Sequence, residues 1–170
     1  MYRKPKNEKD VLYILEHLRE DDLAEVQAIH GKEWKEKVLA DIMKTEFDIL
    51  LGCTKKGDIP AAMGGVWQIE NNPKGVGVCW MLSTDEIFNH KICLLRELKK
   101  EFVKYDEKFW FLYNIIYHKN SFAKGWLKRF GFKFDNPKPE GVHVPCGFEF
   151  FYRIRETRGL CCAEHCSGKR

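Results

Sequence analysis

Apolar positions along this chain recur with several different periods, and each change of period marks an element. The densest stretch, Phe109 to Phe134, holds an almost wholly apolar run (FWFLYNIIY), a polar break (HKN), then SFAKGWLKRF and GFKF. A continuous apolar run of that kind predicts a strand buried on both faces. Phe122, Ala123, Trp126, Leu127 and Phe130 recur at helical spacing and predict a helix covering one face of it. Gly131 is expected to close that helix in the left-handed conformation, with Phe132 and Phe134 opening a new strand and pointing the same way.

Elsewhere the pattern is read in chain order. Residues 11–18 (VLYILEHL) read as a strand. A helix follows over 19–29, with Leu23, Val26 and Ile29 on one face and Asp21 and Asp22 at its positive start. A second, over 32–44, carries Trp34, Val38, Ile42 and Met43. Period two then takes over: strands at 49–54 and 60–69 form a hairpin around Lys56-Gly57-Asp58, and Asn71-Asn72-Pro73-Lys74-Gly75 turns into a strand at 76–82. Ser83-x-x-Glu86 reads as a capping box for a helix to about Lys104, with Ile87, Leu94, Leu95, Leu98 and Phe102 facing inward. Strand, long helix, strand is a crossover unit, so the strands ending at Leu82 and Tyr117 should lie parallel and side by side or nearly so. A long loop over 135–147 leads to a last alternating strand at 148–154. The expected fold is α+β: a mixed sheet in the order βααβββαβαββ with helices on both faces.

Composition narrows the picture. With 170 residues, 44% hydrophobic, the chain can bury one sizeable core, expected over 11–155, with flexible ends at 1–10 and 156–170. The net charge of +4 is mild, and basic residues gather at both termini, which predicts solvated tails rather than a nucleic-acid groove. Aromatics interleave with Lys and Arg over 105–134, but they occupy inward-facing positions, so core is the better reading than a base-stacking platform. No leader pattern and no apolar run of membrane-spanning length occurs, and an intracellular, cytoplasmic protein is expected. Seven cysteines are an odd number, and Cys53, Cys79 and Cys93 fall in apolar segments, reading as buried free thiols. Cys161, Cys162, His165 and Cys166 form a soft-ligand cluster without a second pair to complete a zinc ribbon, so no metal is expected. His17, His30 and His90 lack partners at catalytic spacing, and no nucleophile elbow or phosphate-binding glycine loop is present.

The element order, together with Asn120-x-x-Ala123 followed by Gly131-Phe132, resembles the GNAT N-acetyltransferase superfamily. CWMLSTDEIF, the basic helix after it and FWFLYNIIYHKNSF are also similar to the GNAT-like proteins of T7-type podophages, a group that includes a small internal virion protein. The resemblance implies that acetyl-CoA lies where two parallel strands splay apart. Trp80, Met81 and Leu82 would form the pantetheine edge, Ser83 would open the diphosphate turn, and Asn120 would contact the cofactor. A primary amine would attack the thioester after losing its proton to water or to a cleft carboxylate such as Glu70 or Asp85.

Two departures qualify that expectation. Where the family has a glycine-bearing phosphate loop, this chain has Ser83-Thr84-Asp85-Glu86-Ile87-Phe88. Its two carboxylates would repel a diphosphate, each charge being worth about 0.3–1 kcal/mol at a helix start. Leu127 stands where many members carry the tyrosine that protonates the leaving thiolate, with Tyr117 and His118 as weak substitutes. Two readings therefore stay open. One is an N-acetyltransferase acting on a small-molecule or protein amine. The other is a non-catalytic virion, assembly or host-interaction protein on the same fold, in the host cytoplasm or the particle; neither needs a membrane or nucleic acid.

Overall fold

The computed structural model describes residues 1–55, 57–68, 73–134 and 142–155. A six-stranded sheet runs in sequence order: β1 (Tyr2–Pro5), β2 (Asp48–Thr54), β3 (Gly57–Trp67), β4 (Val76–Ser83), β5 (Phe111–Tyr117) and β6 (Phe148–Ile154). All neighbours are antiparallel except β4 and β5, the parallel pair expected from the crossover. Helices α1 (Glu8–Glu16), α2 (Glu20–His30) and α3 (Trp34–Met43) lie on one face, and α4 (Lys91–Lys108) and α5 (Ser121–Arg129) on the other.

Strand alternation divides the core between these faces. Ile49 and Leu51 meet α1–α3 through Ile14, Val26, Val38 and Ile42, whereas Leu50 and Ala62 meet Ile87 and Leu94 on the opposite side. Phe102, Leu112, Ile116, Leu127 and Phe151 complete that second layer.

Several expectations need correction. Residues 11–18 are not a strand; α1 takes them as far as Glu16, and Leu18 beyond it makes only a single bridge with Thr84. Val11, Ile14 and Leu15 stand at i, i+3 and i+4, and Asn7 caps the helix by accepting the Asp10 N–H at 3.0 Å. The density of apolar residues in that stretch concealed its period. The first strand is instead β1, within residues expected to lie outside the folded domain, and it pairs along β2 from Tyr2 with Leu51 to Pro5 with Asp48. The helix after β4 comes in two pieces, a 3-10 turn over Asp85–His90 and then α4. Its cap is Thr84, which accepts the Glu86 N–H, because Ser83 is still paired with Ala62 in the sheet. β5 begins at Phe111 and is fully buried only at Leu112 and Ile116; its other face is half-buried.

Gly131 closes α5 as expected, with φ +82°, and Phe132 N–H bonds back to the Leu127 carbonyl at 3.1 Å. Phe132 and Phe134 both pack on Phe151, but the strand expected there is a single bridge between Lys133 and Tyr152. Cys53 is exposed rather than buried, while Cys79 and Cys93 are partly buried, and all three are free thiols. The turn at 71–72, most of the 135–147 loop, Glu70 and the Cys161/Cys162/His165/Cys166 cluster lie outside the described residues. Among those described, no helix is long and apolar enough to cross a membrane.

Candidate active site

The two parallel strands pair only at their starts. Val76, Gly77 and Val78 stand opposite Phe111, Leu112 and Tyr113, and there the ladder ends. Asn114 holds the fork open: its Nδ2 donates across the gap to the Cys79 carbonyl at 2.8 Å, and its Oδ1 takes the Ile115 N–H at 2.7 Å. A side chain thus stands in for the next backbone bond. Beyond it the strands diverge.

Strand geometry fixes which β4 groups face the gap. Cys79 C=O turns to Asn114, and Ser83 sends its N–H to Asp22 and its C=O to the Arg19 N–H, all away from β3. By the same alternation Met81, midway between them, directs its N–H and C=O into the gap. Trp80 and Leu82 turn theirs toward β3.

A cavity of about 370 Å³ passes through this fork from one face of the sheet to the other. Val26, Ile42, Trp80 and Leu82 wall it on the α2–α3 side, and Phe102, Trp126 and Leu127 on the α4–α5 side. The indole Nε1 atoms of Trp80 and Trp126 are buried without a hydrogen-bond partner. Cys79 stands at the apex, but burial pushes its thiol up to about 12, which keeps it protonated and unfit as an acyl-accepting nucleophile at neutral pH. Tyr105, also lining the cavity, is likewise raised to about 12 by burial, with Glu101 adding to the effect.

The outer end is built by α2. Asp22 and Glu25, one helical turn apart, reach the two arms of the fork separately. Asp22 Oδ2 accepts from Ser83 N–H at 2.9 Å and from Ser83 Oγ at 2.7 Å, while its Oδ1 pairs with Arg19. Arg19 Nε also donates to Ser83 Oγ at 2.9 Å. Burial pushes the Asp22 carboxyl up, and Arg19 and the two Ser83 donors pull it back down. Glu25 Oε1 accepts from Tyr117 N–H at 3.0 Å and from Asn120 Nδ2 at 2.9 Å. Desolvation, with Asp22 adding to it, carries the Glu25 carboxyl from 4.5 to about 7. It faces the cavity and can take or give a proton near neutral pH.

Outside that layer the turn after β4 is closed by its own side chains. Glu86 is held by His90 at 2.9 Å and by Asn89 at 3.0 Å. Phe88 meets Phe122 of α5 edge to face, centroids 4.8 Å apart, and the Arg19 guanidinium lies 5.7 Å and 5.2 Å from the two rings.

Of the residues singled out by sequence, Trp80, Met81, Leu82 and Asn120 line the cavity. Ser83, Tyr117 and His118 do not. Ser83 belongs to the Asp22–Arg19 network; the Tyr117 ring packs on Phe148 and His118; and His118 Nδ1 lies 2.7 Å from the Gly147 carbonyl, outside the fork. Asn120 is 1% exposed and already committed, since its Oδ1 caps α5 by taking the Ala123 N–H at 3.1 Å. Asp85 is exposed on the turn and lines no part of the cavity. Leu127 does line it and supplies no proton. His30, read from sequence as ordinary, also borders it.

Sequence reasoning missed Glu25 and Asn114, and read Asp22 only as a favourable charge at a helix start. The available signal was Asp22-x-x-Glu25 directly before Val26 and Ile29, two carboxylates on the edge of an apolar helix face.

No protein-family model matches the chain, and no curated protein sequence matches it either. Solved structures do. An acetyltransferase from Streptococcus agalactiae matches with TM-score 0.61 and 14% identity, over 90% of this chain and 97% of that one. A GCN5-related N-acetyltransferase from Kribbella flavida matches with TM-score 0.62 and 14% identity, over 90% and 96%. A GNAT-family acetyltransferase from Staphylococcus aureus gives TM-score 0.62 and 14% identity, over 91% and 99%. At such identities the likeness is one of fold, and it extends across nearly the whole of each chain.

Proposed function

On a fold shared with the GNAT acetyltransferases, we propose that this chain is an acyl-thioester-dependent N-acyltransferase, with Glu25 as general base. One observation carries the reading: the parallel strands part after Val78 and Tyr113 over an apolar cavity, and a carboxyl poised near neutrality faces it. The donor, acetyl-CoA in the simplest case, supplies an activated carbonyl carbon: the amine lone pair forms the C–N bond, the C–S bond breaks, and the thiolate leaves. Met81, with backbone donor and acceptor turned into the gap, would align the donor's amide-bearing arm as one more strand. The apolar walls would exclude water from the thioester. Glu25 would take the proton that the attacking amine must lose, its hydrogen bonds to Tyr117 N–H and Asn120 fixing the carboxyl in place. The sulfur would leave as a thiolate and take its proton from solvent once outside the walls, since Leu127 offers none.

The test is thiol release from acetyl-CoA in the presence of a panel of primary amines and amine-bearing peptides. Turnover should rise with pH through about 7 in the native chain, as the base ionises, and Glu25→Gln should lose that limb. Absence of thiol release, together with no heat on titrating millimolar acetyl-CoA, would end this reading.

A second reading is supported by the closed outer end. Phe88 against Phe122, and Ser83 satisfied by Asp22 and Arg19, suit a protein that keeps the fold and has given up catalysis. Its proposed place is a phage particle, its assembly, or a complex with a host protein. Absence from purified particles and from host-protein pull-downs would remove it.

A further inference from the structure

The inner and outer parts of the fork disagree about coenzyme A. We propose, resting on the acyltransferase reading, that the cleft recognises only the acyl-pantetheine arm of its donor and makes no use of the nucleotide diphosphate. A thioester on a bare or a carrier-protein-borne arm would then serve as well as the coenzyme A thioester.

Inside, the requirements of an arm are met. Met81 offers one donor and one acceptor on a free strand edge, and the cavity of about 370 Å³ is at the small end of ligand sites, which span roughly 300–1,000 Å³. Trp80 and Trp126 add ring surface to the walls around that arm.

Outside, the groups at the end of β4 that would cradle a diphosphate are spent or of the wrong sign. The Ser83 N–H, the first backbone donor beyond Met81 on that edge, is filled by Asp22 at 2.9 Å. The cation nearest that point, Arg19, is buried and neutralised by Asp22 and Asp21. The turn that follows presents Asp85 and Glu86 and has no glycine from Ser83 to Lys91, so bare backbone cannot close around an anion. Phe88 and Phe122 form the threshold. Phe88 is 40% exposed and packs edge to face on Phe122, and the exposed Lys91, its Nζ 5.5 Å from the Phe88 ring, stands on a side chain beyond the turn rather than in a backbone cradle.

The experiment titrates the full chain by calorimetry with acetyl-CoA, S-acetyl-pantetheine and an acetylated carrier protein, and repeats the first with Asp85→Asn. Asp85 is exposed and outside the cavity, so that variant leaves the fold intact. The expected result is a Kd for S-acetyl-pantetheine within about threefold of that for acetyl-CoA, with Asp85→Asn changing the latter by less than about twofold. Carrier protein binding about tenfold tighter than the bare arm would support a protein-borne donor; equal binding would support a free thioester. If acetyl-CoA binds about thirtyfold or more tightly than S-acetyl-pantetheine, or gains threefold or more from Asp85→Asn, the proposal is overturned and the acyltransferase reading stands. If none of the three binds, both fall.

Discussion

Within a few residues of each other, two regions of the fork treat their polar groups in opposite ways. At its inner end, past the last ladder pair, the Met81 N–H and C=O turn into a largely apolar cavity with no strand opposite them. At its outer end, around Ser83, Tyr117 and Asn120, the corresponding groups are each answered by Asp22, Glu25 or Arg19. Both regions sit on the same two strands, so the fold does not dictate the difference; the side chains of one helix do. An idle buried donor weakens folding and has a use only if a ligand arrives, whereas a satisfied one contributes to stability and is no longer open to a ligand. The fork has kept the first kind where an acyl group would lie and the second where a diphosphate would.

The hardest way to break this contrast is to remove Asp22. Asp22→Ala takes from the Arg19 guanidinium, 3% exposed, its buried partner, leaves it only the more exposed Asp21 at 3.8 Å, and frees both Ser83 donors. The expected loss is about 3–5 kcal/mol in urea denaturation, the range for orphaning one member of a buried ion pair. Replacing Arg19 and Asp22 together by Met and Leu should cost far less than the single change, and that difference is the measurement of interest.

Glu25 gives the next effect, with the opposite sign. Its folded value of about 7 lies above its ordinary 4.5, so the folded state holds the proton more tightly than the unfolded chain. The stabilising contribution is complete below pH 4.5 and is lost as pH rises through 7. Glu25→Gln keeps an oxygen for Tyr117 N–H and Asn120 and removes the desolvated charge. Thermal melts should show the variant more stable than the native chain at pH 8, by at most about 3 kcal/mol, and nearly equal at pH 4. A variant that gains stability and loses turnover would mark Glu25 as held there for chemistry; equal melting at both pH values would remove the argument.

What the sequence made legible follows from what repeats. The crossover between β4 and β5, the two-faced arrangement and the glycine stop at Gly131 rest on periodicity and on one residue's conformational freedom, and all three are present. The first strand was misplaced because β1 has only four residues, too short to show alternation, while the apolar run of α1 imitates a strand. At the site, Trp80, Met81 and Leu82, named through the family resemblance, line the cavity. Glu25 could not be read from sequence, because its role depends on α2 crossing the fork some 90 residues before Tyr117 and Asn120, and no local pattern carries that pairing.

Two smaller changes sharpen the comparison at the inner end. At Gly64 a Cβ would meet the Trp80 carbonyl oxygen at 2.6 Å, a backbone atom that cannot swing aside. Gly64→Ala should cost about 1–3 kcal/mol by pushing β4 toward β5, and it should weaken donor binding more than it weakens folding, since it narrows the fork where Met81 faces it.

Asn114 is the gentlest probe and the most local. Its amide donates to the Cys79 carbonyl and accepts from Ile115 N–H, holding the strands at the spacing where backbone pairing stops. Asn114→Ala removes both bonds at a partly buried site, for an expected cost of about 1–2 kcal/mol. The Ile115 amide should exchange with solvent about tenfold faster while the Leu112 amide, inside the paired ladder, keeps its protection. If both amides accelerate together, the apex is held by the ladder as a whole, and the fork's opening is a property of the sheet twist rather than of this one side chain.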